Sequence, residues 1–282
     1  MPAERISTVG GIGIGREQIP LNQKLRDVID AATPLFAGEA EVVRSYFGWS
    51  GRTAETDRKW IGHQCFKEFY GSGYGEPEHG CLVEWGRQMI EKRPELDHGL
   101  DRHEMLQLVE AIYSEYNHYC LFADIYDNLG APGEAKLIPS ALENWPEGKA
   151  LDNYRLDLRM SHGELGQAVM DFTEGGYCTL YAEGAKLAGR GGIDDQIAAA
   201  CQIVYDDEVG HMLKGVVALG GYDLDAAGWA MVRDKVVGQL RRRIHMRNGQ
   251  FSYPLSQDRI QAIHAGDIEL IAFDYSIMGE AA

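Results

Sequence analysis

The chain has 282 residues, 45% of them hydrophobic, enough for a substantial apolar core. Its 43 acidic against 27 basic residues leave a formal charge of -16, which repels nucleic-acid phosphates and anionic lipid head groups, so neither is an expected partner. No run approaches the apolar length of a membrane helix or a secretory signal, and the scattered Cys65, Cys81, Cys120, Cys178 and Cys201 form no C-x-x-C pair, so a cytoplasmic chain with reduced core thiols is expected.

Residues 1–20 are Gly-rich and end at Pro20; GGIGIG lacks G-x-G-x-x-G spacing, and a flexible N-terminal arm is expected there. A single all-α domain over 21–282 follows. Helical periodicity near 21–32, 38–48 and 55–69 makes a helical preface, closed by the turn-rich GSGYGEPEHG at 71–80. The segment CLVEWGRQMIEK runs to Pro94, and an amphipathic helix spans about 101–129, stopped by Gly130 and Pro132. Pro132, Pro139 and Pro146 mark 130–157 as a crossover. Helices over about 158–188 and 193–219, parted by AGRGGID, form a second antiparallel pair, and another lies near 224–246. Period-two alternation is scarce, which predicts a nearly all-helical chain.

Two of these helices carry a carboxylate and an imidazole where a core face should be apolar. Glu115 and His118 in SEYNHYCLF, and Glu208 and His211 in YDDEVGHM, each stand three residues apart and so project from one helix face. Leu108, Ile112, Tyr119, Phe122 and Ile125 flank the first pair, and Cys201, Val204 and Met212 the second. Composition predicts roughly 0.7 E-x-x-H matches by chance, in the manner of any pattern count. Four occur; of the other two, Glu76 to His79 contains Pro77 and sits in the turn-rich segment, and Glu95 to His98 lies in the linker after Pro94. Upstream of each helical pair, on the preceding helix, stand Glu84 and Glu174, so a half-site is repeated twice around a crossover. Glu91 shares nearly the same face as Glu84 and is its competitor. A cation is one of the few partners that removes the cost of burying such carboxylates.

Two helices giving one Glu each and two giving Glu-x-x-His is the pattern of dimetal bundles. The chain resembles the ferritin-like di-iron carboxylate superfamily over about residues 80–220. That superfamily includes multicomponent monooxygenases, acyl-carrier desaturases, aldehyde-deformylating oxygenases, arylamine N-oxygenases and the radical subunit of ribonucleotide reductase. The resemblance implies a ferritin-like four-helix bundle with additional N- and C-terminal helices. It implies Glu115 and Glu208 as bridging ligands, His118 and His211 as nitrogen ligands, and Glu84 and Glu174 as terminal ligands. Asp207 resembles the second-sphere acid that orients a bound imidazole. Phe122 stands where the reductase has its radical tyrosine, and Val204 where arylamine N-oxygenases carry a further histidine. Tyr181, two turns after Glu174, reads either as a pocket or electron-path residue or as a packed aromatic.

The function implied is that of a non-haem di-iron oxygenase or oxidase: two iron ions, with manganese as the other candidate metal, activate O₂ to oxidise a small organic substrate. Hydroxylation, N-oxygenation, desaturation and C–C cleavage all fit. An electron donor such as a ferredoxin or reductase is expected, and a homodimer is compatible. A manganese-catalase-like or iron-oxidising protein without an organic substrate is the alternative.

Overall fold

The computed structural model describes residues 23–71, 80–174 and 179–271, with the side chains of Glu174 and of residues 209–214 excepted. The 1–20 arm, the Glu76–His79 match and Cys178 lie outside the described residues, as do the side chains of Glu174 and His211. Among the described residues the protein is all-helical, and no helix is long and apolar enough to cross a membrane.

Nine α-helices follow one another among the described residues: α1 (Gln23–Phe47), α2 (Ala54–Tyr70), α3 (Cys81–Lys92), α4 (Arg102–Asn128), α5 (Pro146–Glu174), α6 (Thr179–Ala185), α7 (Ile193–Gly220), α8 (Ala226–Gln250) and α9 (Gln257–His264). Several begin on capping side chains that satisfy orphan amides. Thr53 and Thr56 form a reciprocal capping box before α2, and Asp101, Asp225 and Ser256 accept from the first turns of α4, α8 and α9.

The expected break in the first helix does not occur. α1 runs unbroken through Pro34, which removes one backbone donor. Ile29, Ala32, Leu35 and Phe36 are all buried on either side of it, so the packing of one continuous apolar face outweighs the lost bond. α5 likewise begins earlier than the proline count suggested. Pro146 is its first residue, where a missing N–H costs nothing, so the crossover shrinks to 129–145. Gly163 then interrupts the helix with φ 56° and ψ -128°.

Packing order decides which helices surround the candidate site. α2 and α3 lie against α4; α4 lies against α7; α7 packs on α5 and α6; α8 is held between α5 and α1. α3 was expected to be a core helix, yet none of its residues is buried, whereas α2 buries Trp60, Ile61, Gln64, Cys65, Phe66 and Glu68. The inner partner of α4 is therefore α2.

Close backbone approach fixes the other side. A Cβ on Gly215 of α7 would collide with the backbone of Asp171 and Phe172 on α5, so glycine there permits the contact. Gly184 of α6 similarly faces Cys201 of α7.

Candidate metal centre

Four elements bring titratable side chains into the interior between α2, α4, α6 and α7. Glu68 comes from the last turn of α2, Glu115 and His118 from α4, Asp207 and Glu208 from α7, and Tyr181 from α6. His118 is fully buried, and Glu68 and Glu208 are nearly so. Ligand atoms of Glu68, Glu115 and His118 all lie within 4.8 Å of one another, a group that could hold a metal ion.

His118 is the hinge of the arrangement. Its Nδ1 faces Glu68 Oε2 at 3.8 Å, Glu208 Oε1 at 3.8 Å and Glu115 Oε2 at 4.0 Å. These separations are too long for hydrogen bonds, and Nδ1 has no such partner among the described residues. Two donors each about 2 Å from one ion stand about 3 to 4 Å apart, so the spacing is one that a shared cation could bridge. The opposite nitrogen is held: Nε2 donates to Asp207 Oδ2 at 3.0 Å, with Ser114 Oγ 3.4 Å from each of those two atoms. A carboxylate on Nε2 fixes a proton there, so whenever the ring is neutral, as a metal ligand must be, its lone pair lies on Nδ1, on the side of the three carboxylates.

Glu68 is held from behind by two donors to the same oxygen. Gln64 Nε2 and Tyr181 Oη donate to Glu68 Oε1 at 2.6 and 2.8 Å, which leaves Oε2 as the atom turned to His118. Gln64 is oriented in turn by Arg247 Nη1 and Gln250 Nε2, which donate to its carbonyl at 3.2 and 3.1 Å. Arg247 also donates to Glu39, which Arg243 grips with two bonds of 2.9 and 3.0 Å. One buried polar chain thus runs from the candidate centre through α2 to α8 and α1.

Charge follows the geometry. Burial, together with the Glu208 charge, raises the Glu68 carboxyl above its ordinary value against the pull of His118 and of its two donors. Burial opposes a charged His118, but the Asp207 hydrogen bond and the Glu68 and Glu208 charges outweigh it and raise the imidazole. Carboxylates crowded around one imidazole carry an excess of negative charge that a cation would neutralise.

Among the expected site residues, Glu115, His118, Asp207, Glu208, Tyr181 and Phe122 are gathered here; Phe122 is fully buried 6.4 Å from the Tyr181 ring. Glu174 ends α5, but its side chain and that of His211 are not described. Glu84 is not brought to the group. It sits on the half-exposed α3 with its carboxylate bound by Arg87 at 2.9 Å and Gln88 at 3.2 Å, and Glu91 is exposed. Glu68 of α2 is the carboxylate that groups with Glu115 and His118. Its sequence signal was a polar pair, Gln64 and Glu68, four residues apart on the same buried face as Ile61 and Cys65.

Other charged groups are also drawn into the packing. Glu183 is buried and paired with Arg44 at 3.1 Å and Lys186 at 2.8 Å. Within the Arg241–Arg243 cluster only Arg241 and Arg242 are exposed, because Arg243 is spent on Glu39. Two shallow cavities, of about 380 and 570 Å³, open beside Arg58 and along residues 124–136, and no residue of the candidate centre lines either.

No family model matches the chain, and neither curated proteins nor solved structures show a significant match to it.

Proposed function

We propose that this protein is a dimetal enzyme of ferritin-like architecture, with α2, α4, the α5–α6 pair and α7 as its bundle and iron as its metal. The single observation that carries the reading is His118 Nδ1, buried and without a hydrogen-bond partner among the described residues, faced by three carboxylates at 3.8 to 4.0 Å while Asp207 holds the other nitrogen. A structural Glu–His ion pair would close to hydrogen-bond distance; a ligand set would hold this spacing.

Glu68, Glu115, His118 and Glu208 are the ligands on this reading, with Glu174 and His211 completing the second half-site by their place in the repeated pattern. Bound iron would supply the electrons that activate dioxygen toward oxidation of a small organic substrate. The chain's own residues do the rest. Asp207 keeps the His118 proton on Nε2, Tyr181 and Gln64 keep one oxygen of Glu68 turned away from the centre, and the buried Phe122, against Tyr181, excludes water beside it.

The test is anaerobic loading with Fe(II) followed by rapid mixing with O₂ under an optical spectrometer. Binding of iron with a new absorption that forms and decays after mixing supports an oxygen-activating centre. A folded protein that takes up neither iron nor manganese would end the proposal. Rapid loss of added H₂O₂ in the manganese-loaded protein, with no response of the iron form to O₂, would favour the catalase-like alternative.

A further inference from the structure

The aromatic residues around the candidate centre are not distributed evenly. From Tyr181, whose hydroxyl touches Glu68, a run of rings leads to the surface. The Phe122 ring lies 6.4 Å from Tyr181 and 6.1 Å from Trp60. Trp60 and Tyr46 are joined through one buried carboxylate: indole Nε1 and phenol Oη donate to the same oxygen of Asp57, at 2.9 and 2.8 Å. Tyr46 lies 6.3 Å from Trp49, which stacks on Tyr253 at 4.9 Å with the ring planes 9° apart. Tyr253 is 43% exposed.

Packing alone asks for apolar rings and gives no reason for this composition. Four of the five members beyond Tyr181 that reach the surface are Trp or Tyr, the side chains most easily oxidised by one electron, and the two buried ones among them each have a carboxylate acceptor for the proton. Arg52 Nε donates to both oxygens of that carboxylate, at 2.8 and 3.1 Å, and so fixes it in place beneath the two rings.

We infer that Tyr181, Trp60, Tyr46, Trp49 and Tyr253 form a route that carries single oxidising equivalents outward from the metal centre when no substrate consumes them. The inference rests on the dimetal reading and adds a protective function to it. Each buried donor passes one electron inward. Its proton stays within the hydrogen bond it already makes, Tyr181 to Glu68 or Trp60 and Tyr46 to Asp57, and returns when the next ring replaces the electron. In the balance, the oxidised centre gains one electron and Tyr253 loses one, together with its phenolic proton, which goes to water. A thiol reductant in solution then restores the Tyr253 radical by donating a hydrogen atom.

The experiment treats the iron-loaded protein with H₂O₂ in the absence of organic substrate and maps oxidised residues by peptide mass spectrometry, with iron content measured on every sample. Tyr113, 72% exposed and outside the route, is the internal reference for oxidation from solution. Trp49 and Tyr253 should be oxidised well above Tyr113 in the loaded protein but not in the apoprotein, and an added thiol should suppress the excess. In Trp60→Phe, and independently in Tyr46→Phe, which keeps the ring and removes only the hydroxyl, the excess should fall to the apoprotein level while damage shifts inward to Tyr181. Full iron content with an unchanged ratio of Tyr253 to Tyr113 oxidation in both variants would overturn the route and leave the metal centre standing. Failure of the wild-type protein to bind iron would remove both.

Discussion

At the scale of single residues, the account turns on which carboxylate joins the two half-sites. Glu68→Ala should lower iron affinity and occupancy sharply, whereas Glu84→Ala should leave the iron content unchanged, because Glu84 is bound to Arg87 and Gln88 on a helix with no buried residue. Metal analysis of the two variants separates the assignments; equal loss in both would restore Glu84 as a ligand. Asp207→Asn keeps a polar group beside His118 Nε2 but removes the charge that fixes its proton, and second-sphere losses of this kind cost about 10- to 100-fold in metal affinity. Competitive chelator titration reads that change. Glu115, His118 and Glu208 were legible in the sequence, because they interrupt apolar helix faces. Glu68 was not, since it has no histidine three residues on and stands in a helix whose polar residues look like an ordinary surface mixture until Gln64 and Glu68 are placed on its buried side.

Helices were easier to read than their order of packing. Periodicity gives an apolar face, but it does not say which neighbour covers it. α3 has a well-formed amphipathic pattern and still buries nothing, while α2, set apart in sequence from α4, is the helix that packs inside it. Pro146 was read as a breaker although it opens α5. Gly163 marks the bend within α5. Its φ of 56° with ψ of -128° is a conformation open essentially to glycine, and nothing lies within 4 Å of the place a Cβ would take. Gly163→Ala should therefore destabilise through the backbone alone, by about 1 to 3 kcal/mol, seen as a lowered melting temperature with metal stoichiometry retained. Gly215→Ala acts differently. Its Cβ would press on the α5 backbone at Phe172, pushing α7 away from α5, so both stability and metal binding should fall together.

Over the whole molecule, the buried ion pairs tie the outer helices to the site. Glu39 is fully buried between Arg243 and Arg247; burial raises its carboxyl, but the two guanidinium groups outweigh that and hold it down at about 2, against an ordinary 4.5. A carboxylate whose folded value is depressed contributes stability above its unfolded value and loses it as pH falls through the folded one. The Glu39 contribution, about 3 kcal/mol, should thus be complete above about pH 4.5 and disappear toward pH 2. Chemical denaturation across that range should show this acid slope in the wild-type protein and lose that component in Glu39→Gln, which should also be less stable at neutral pH by about 3 to 5 kcal/mol because two arginines are left buried without their partner. Since Arg247 also orients Gln64, and Gln64 holds Glu68, the same variant should weaken metal binding without touching a ligand.

The central claim is that this interior holds a pair of metal ions rather than a structural cluster of carboxylates around one histidine. Mössbauer spectroscopy of the protein loaded anaerobically with ⁵⁷Fe(II) and then oxidised tests it most directly. The account predicts two irons per chain, magnetically coupled, with both the coupling and the second iron lost in Glu208→Ala. A folded wild-type protein that binds no iron, or binds a single uncoupled ion that survives replacement of His118, would contradict it.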